Sequence, residues 1–133
     1  MKSYKIHLIR HGRTQANEEG LYVGRTDLPL SPGGLNALLA LREGGGYPTA
    51  GRFFTSPLTR CRQTLEVLYP GCRQEVVEGL AECDFGRWEG RSAASLQQDA
   101  SFRDWIAGKR AEIPEGEDAA VFQRRVTAAF EEL

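Results

Sequence analysis

Stretches patterned as β-strands alternate with stretches patterned as helices, and this alternation restricts the fold more than any other feature. From Tyr4 to Ile9, Tyr4, Ile6 and Leu8 alternate with Lys5 and His7 before Ile9 closes the run. Two shorter β-patterned runs follow, Arg52 to Thr55 and Arg73 to Val77. Between the first two, Ser31-Pro32 reads as an N-cap followed by proline at the first helical position. Leu35, Leu38, Leu39 and Leu41 supply an apolar face, and Gly44-Gly45-Gly46 ends the helix. Between the second and third, Ser56-Pro57 repeats that opening, and Leu58, Cys61, Leu65 and Leu68 share a face up to Pro70-Gly71. Ser101 to Asp104 reads as a capping box for a short helix with Phe102, Trp105 and Ile106 inward. Asp118 caps a last helix with apolar positions Phe122, Val126, Phe130 and Leu133. Parallel strands need long crossovers, so this order predicts an α/β fold, a mainly parallel sheet between two helix layers.

The 133 residues suit one domain, 1–133, and the surface scaling of folded chains predicts about 7,000 Å² of accessible area. At 41% hydrophobic and 26% charged residues, a disordered chain is excluded. A formal charge of −1 lacks the basic footprint of a nucleic-acid or acidic-membrane binder. No apolar run approaches the roughly 20 residues of a membrane span, and the start lacks a signal-peptide core, which predicts a cytoplasmic protein. Three cysteines (Cys61, Cys72, Cys83) and two histidines (His7, His11) lack the spacing of a disulfide framework or a zinc site, so no metal is expected. The last helix stops in mid-pattern at Leu133 without a Gly, Asn or Pro signal. An amphipathic helix normally leads into another element, so this end predicts a chain truncated at its C-terminus.

In open α/β sheets, ligands sit beyond the carboxyl ends of the strands. The first run ends in Arg10-His11-Gly12, the second leads to Ser56 and Arg60, and Glu82 lies beyond the third. Each residue has an ordinary explanation. Arg60, near the positive end of its helix, is either a solvated arginine whose stem covers apolar neighbours or the partner of an anion. Arg10 and His11 come off a strand expected to be buried, so Arg10 needs a partner: a bound phosphate or carboxylate, or a structural ion pair. His11 alone reads as a hydrogen-bonded histidine, Gly12 as a turn or a close approach to a ligand, and Glu82 as a solvated acid. Their convergence at one sheet edge points instead to an anion clamp, a nucleophile and a proton donor.

Leu8-Ile-Arg-His-Gly-Arg-Thr-Gln-Ala-Asn17 resembles the RHG signature of the histidine phosphatase superfamily, the phosphoglycerate mutase-like proteins. The similarity runs on through Gly24 to Gly33, Thr55 to Thr64, Glu82 to Gly90 and Pro114 to Asp118. Gln15-Ala-Asn17 and Phe85 to Glu89 look most like the α-ribazole phosphatases within it. The resemblance implies that His11 is the nucleophile that becomes phosphohistidine and that Arg10 and Arg60 hold the phosphoryl oxygens. It also implies that Asn17 and Gly24 contribute to substrate binding, and that Glu82 protonates the leaving oxygen and then activates water. Two guanidinium groups neutralise the phosphoryl charge, so neither metal nor cofactor is expected. The expected partners are a small phosphorylated substrate and inorganic phosphate, with no nucleic acid and no membrane; a homodimer is left open. The family's second catalytic histidine, near the end of a strand after the last helix, has no counterpart up to Leu133. His7 does not replace it, and is expected to fill a side-chain position on the sheet. The implied activity is phosphomonoester hydrolysis. The alternatives are mutase-type transfer, which the short connections around residues 91–117 disfavour, and an inactive phosphate-ester binding module.

Overall fold

The computed structural model describes residues 1–133. Its first helix, α1 (Gln15–Glu19), opens with a capping box in which Thr14 and Asn17 satisfy each other's backbone amides. Ser31 caps α2 (Pro32–Glu43) through a 2.9 Å bond from Gly34 N, with Pro32 at the first helical position, as its sequence predicts. β1 (Phe53–Thr55) and β2 (Gln74–Val76) pair in parallel, with Phe53 opposite Gln74 and Thr55 opposite Val76. α3 (Thr59–Leu68) makes the crossover between them. The molecule is thus an α/β fold with a small parallel sheet.

The first predicted strand does not form. Residues 1–10 are exposed throughout, Tyr4 at 81% and Leu8 at 86%. Alternation supplies an apolar face, but a strand also needs a neighbouring edge for its N–H and C=O groups. β1 pairs only with β2, and no ladder reaches residues 4–9. His7 therefore lies exposed rather than against a sheet. The chain keeps 8632 Å² of accessible surface, above the scaling expectation of about 7,000 Å².

Two helix starts also differ from expectation. α3 begins at Thr59, not directly after Ser56, because its first amide is taken from outside: Asp27 accepts from Thr59 N at 2.7 Å and from its hydroxyl at 3.0 Å. The buried stripe of α3 is Arg60, Thr64 and Leu68, while Cys61 and Leu65 of the predicted apolar face are only half-buried. A one-turn helix, α4 (Ala93–Leu96), precedes α5 (Ala100–Ile106). Asp99, not Ser101, caps α5, since its carboxylate reaches the amides of both Ser101 and Phe102 while also accepting from Arg87 and Trp88. Ile106 points outward at 59% exposure.

The tightest core lies away from the sheet. Cys83, Trp88, Leu96, Phe102 and Ile113 form one buried cluster, flanked by Tyr22, Phe85, Trp105 and Phe122. Trp88 meets Phe102 edge-on, with centroids 5.4 Å apart. Asp118 caps α6 (Ala119–Glu131) as predicted, and α6 packs on the 3₁₀ turn Glu78–Leu80. Gly79 allows that approach, because a Cβ there would stand 2.5 Å from the Ala129 Cβ. α6 buries none of its residues fully: Phe122 and Val126 of its predicted apolar face are half-buried, Phe122 against the core cluster, while Phe130 and Leu133 keep 42% and 37% exposure. No helix is long and apolar enough to cross a membrane.

Candidate active site

The His11 segment is set by α3 and α2 rather than by a strand. Gly12 N donates to Thr64 Oγ1 at 2.9 Å, and that hydroxyl donates to Arg60 O at 2.7 Å. Thr64 thereby ties the backbone beside His11 to the turn that carries Arg60. A Cβ on Gly12 would lie 2.7 Å from Leu38 Cδ1 and 3.1 Å from Leu30 Cδ2, so glycine lets this segment pack closely on Leu30 and on Leu38 of α2. The half-buried His11 pairs through Nδ1 with its neighbour's carbonyl, Gly12 O. A carbonyl only accepts, so this bond places the ring proton on Nδ1 and leaves the Nε2 lone pair available. Burial lowers the proton affinity of His11 most; the Gly12 bond raises it in part, the charges of Arg60 and Arg10 lower it again, and Glu82 opposes them least, for a net lowering. The imidazole is therefore neutral at pH 7.

Arg60 is 2% exposed, which excludes the solvated surface arginine. Its Nη2 donates to Gly24 O at 2.7 Å and its Nη1 to Thr26 O at 3.0 Å. The loop bearing those carbonyls is itself held by one carboxylate. Glu89 accepts from Gly24 N at 2.9 and 3.0 Å, from Arg25 N at 2.6 Å and from Thr26 N at 3.3 Å. The loop passes so close to residue 83 that a Cβ on Gly24 would overlap Cys83 O, at 1.6 Å. The N–H and carbonyl of Gly24 are thus engaged within the chain, and the residue acts on the site through Arg60.

Arg10, His11, Arg13 and Asn17 line a cleft of about 430 Å³ whose apolar wall is formed by Leu38, Leu41 and Tyr47. Arg10 is exposed, contrary to the burial expected of a strand end, and needs no internal partner there. Asn17 Oδ1 is committed to capping, accepting from Thr14 N at 2.9 Å and Thr14 Oγ1 at 3.0 Å, so only its amide NH₂ can serve a ligand. Glu82 is exposed, with Oε1 accepting from Cys83 N at 2.8 Å, while its backbone carbonyl accepts from Arg25 Nε at 2.9 Å. Arg60 and Glu82 do not line that cleft, but both act electrostatically on His11.

The cleft brings together His11 with its free Nε2, Arg10, Arg13 and the Asn17 amide, while Arg60 and Glu82 act on His11 by charge from outside it; such a set suits attack on an anionic phosphorus or acyl centre. Sequence reasoning passed over Thr64, Glu89 and Asp27, which position the site without facing it. Glu89 and Thr64 both stand inside segments that carry the family resemblance, but the pairing of Thr64 with Gly12, 52 residues apart, leaves no local signal.

The family described as histidine phosphatase superfamily (branch 1) matches residues 6–133. An adenosylcobalamin/alpha-ribazole phosphatase of Salmonella typhimurium is 33% identical over 127 residues, covering 92% of this chain and 63% of that protein. A protein of Escherichia coli O1:K1 named "Probable phosphoglycerate mutase GpmB" is 29% identical over 132 residues, covering 96% and 61%. The crystal structure of the alpha-ribazole phosphatase from Shigella flexneri superposes with a TM-score of 0.83 at 28% identity, over 93% of this chain and 64% of that one. The chain thus spans less than two thirds of the length of these relatives.

Proposed function

The chain belongs to the histidine phosphatase superfamily, branch 1, and from that premise we propose that it is a phosphomonoesterase of the α-ribazole phosphatase type. It hydrolyses a small phosphate ester through a phosphohistidine on His11. The observation that carries the reading is the pairing of Nδ1 with Gly12 O, which leaves a neutral ring with a free Nε2 close to the charges of Arg10, Arg60 and Glu82.

In the first displacement Nε2 attacks phosphorus, the bond from phosphorus to the ester oxygen breaks, and the Glu82 carboxyl gives that oxygen its proton. Arg10 and Arg60 hold the phosphoryl oxygens, and the Asn17 amide adds a donor. Water then attacks phosphorus, Glu82 takes the water's proton, the P–N bond breaks and phosphate leaves. The three cysteines are free thiols, which supports placing this reaction in the reducing cytoplasm.

The test is brief exposure of the protein to a phosphate ester labelled in its phosphoryl group. We expect an acid-labile, alkali-stable label that is absent from His11→Ala, with inorganic phosphate as the final product. Label retained by His11→Ala overturns the nucleophile, and transfer of the label to a second hydroxyl in place of release favours a mutase.

A further inference from the structure

We infer that Arg125, on α6, is a positioning residue for the acid Glu82; the inference rests on the role given to Glu82 above. Residues 81–84 belong to no helix or strand, so no regular ladder fixes the Glu82 backbone. Arg125 supplies what a ladder would. Its Nη1 donates to Gly79 O at 2.8 Å and Ala81 O at 2.9 Å, and its Nη2 reaches Glu82 O at 3.4 Å. Three carbonyls within four residues therefore converge on one guanidinium.

The guanidinium is fixed in turn. Nε and Nη2 donate to the two Glu117 oxygens at 2.8 and 2.9 Å, a bidentate pair with only 22% and 9% side-chain exposure, and the cation lies 5.3 Å over the Phe122 ring. Glu117 then grips the far side of the acid: its Oε2 accepts from Asp84 N at 3.3 Å, and its own amide donates to Asp84 O at 2.9 Å. Glu82 is held from both flanks by one ion pair. Its carbonyl is shared with Arg25 Nε, which belongs to the loop that holds Arg60. The ion pair therefore sets the acid relative to the phosphate-binding arginine. Neither Arg125 nor Glu117 lines the cleft, and neither is given a chemical step.

An acid placed about 1 Å out of line transfers its proton poorly, and this matters only where the leaving group needs one. The experiment compares an alkyl phosphate, which leaves as a basic alkoxide, with p-nitrophenyl phosphate, which scarcely needs protonation. We expect Arg125→Gln to lower kcat on the alkyl ester about ten- to hundredfold while p-nitrophenyl phosphate loses less than about threefold. Arg125→Lys should recover part of the difference, and Arg125→Gln should add nothing to the alkyl/aryl ratio in a Glu82→Gln background. Glu117→Gln, which keeps the acceptor for Asp84 N but not the charge, should shift the ratio in the same direction by a smaller factor, and thermal melts report whether each variant folds.

Equal losses on both substrates in folded Arg125→Gln overturn the inference. If Arg125→Gln does not fold, an unchanged ratio in Glu117→Gln overturns it. A Glu82→Gln protein whose ratio equals wild type, or a wild type that turns over neither ester, removes the underlying role of Glu82 instead, so the two failures are distinguishable.

Discussion

Replacing Glu89 tests whether the Arg60 loop is held as its hydrogen bonds indicate. One carboxylate accepts three consecutive amide N–H groups, those of Gly24, Arg25 and Thr26. Bonds to a charged acceptor contribute about 1.5–3 kcal/mol each. Arg25 and Thr26 are exposed, so their amides find water when the carboxylate is gone. Gly24 is buried against Cys83, and its amide is left without a partner at a cost of about 1–3 kcal/mol. The sum for Glu89→Ala is about 2–4 kcal/mol, one full bond plus small remainders. Glu89→Gln keeps one acceptor oxygen and should lose about 1–2 kcal/mol. Urea unfolding with an unchanged m-value reads the difference directly. The same variants should bind inorganic phosphate more weakly, because Gly24 O and Thr26 O no longer hold Arg60 in place. Glu89→Ala within about 0.5 kcal/mol of wild type, with unaltered phosphate binding, would refute the idea that this carboxylate organises the loop.

Arg60→Ala should lower kcat/KM by about 10²–10³-fold and weaken inhibition by vanadate, with only partial recovery in Arg60→Lys, which lacks the planar fork; full activity in the alanine variant would remove Arg60 from the phosphate site. The lowered proton affinity of His11 places the acid limb of kcat/KM below pH 6.5, and a limb above that value would contradict the neutral, buried imidazole. Since the unfolded chain binds this proton more readily than the folded one, stability should fall as pH drops from about 6.5 towards the lower folded value, and His11→Gln should flatten that part of the profile. Gly79→Ala forces a Cβ to within 2.5 Å of the Ala129 Cβ and should cost about 1–3 kcal/mol, with partial relief from Ala129→Gly in a double-mutant cycle; additive losses would mean that α6 is not seated at this point.

The parts of this fold legible from sequence are those written in neighbouring residues. Ser31 before Pro32 and Asp118 before Ala119 cap their helices where local chemistry says they should, and both short strands form where β-patterned runs lie. The misreadings share a cause. Tyr4 to Ile9 has a strand's alternation, yet pairing depends on a distant edge that side-chain pattern does not encode. The start of α3 depends on Asp27, 32 residues away from Thr59, and Ser101 loses the cap to an aspartate that also serves Arg87 and Trp88. For the candidate site, His11, Arg10, Arg60 and Glu82 are named by motif and order. Thr64, Glu89 and Arg125 could not be assigned tasks, because each acts on backbone more than 40 residues distant.

Arg60 and Arg125 are each held by more than one backbone carbonyl, but they are left in different electrical states. Arg125 has a carboxylate on its fork, so its charge is cancelled within a few ångströms and serves as internal scaffolding. Arg60 is gripped by the carbonyls of Gly24 and Thr26 and by no acid. An amide carbonyl orients a guanidinium without neutralising it, and it does not titrate. Arg60 therefore keeps a positive charge that no bonded carboxylate cancels. An acidic residue introduced beside Gly24 or Thr26 would hold the side chain at least as firmly, yet would cancel the charge on which the proposed phosphate binding depends.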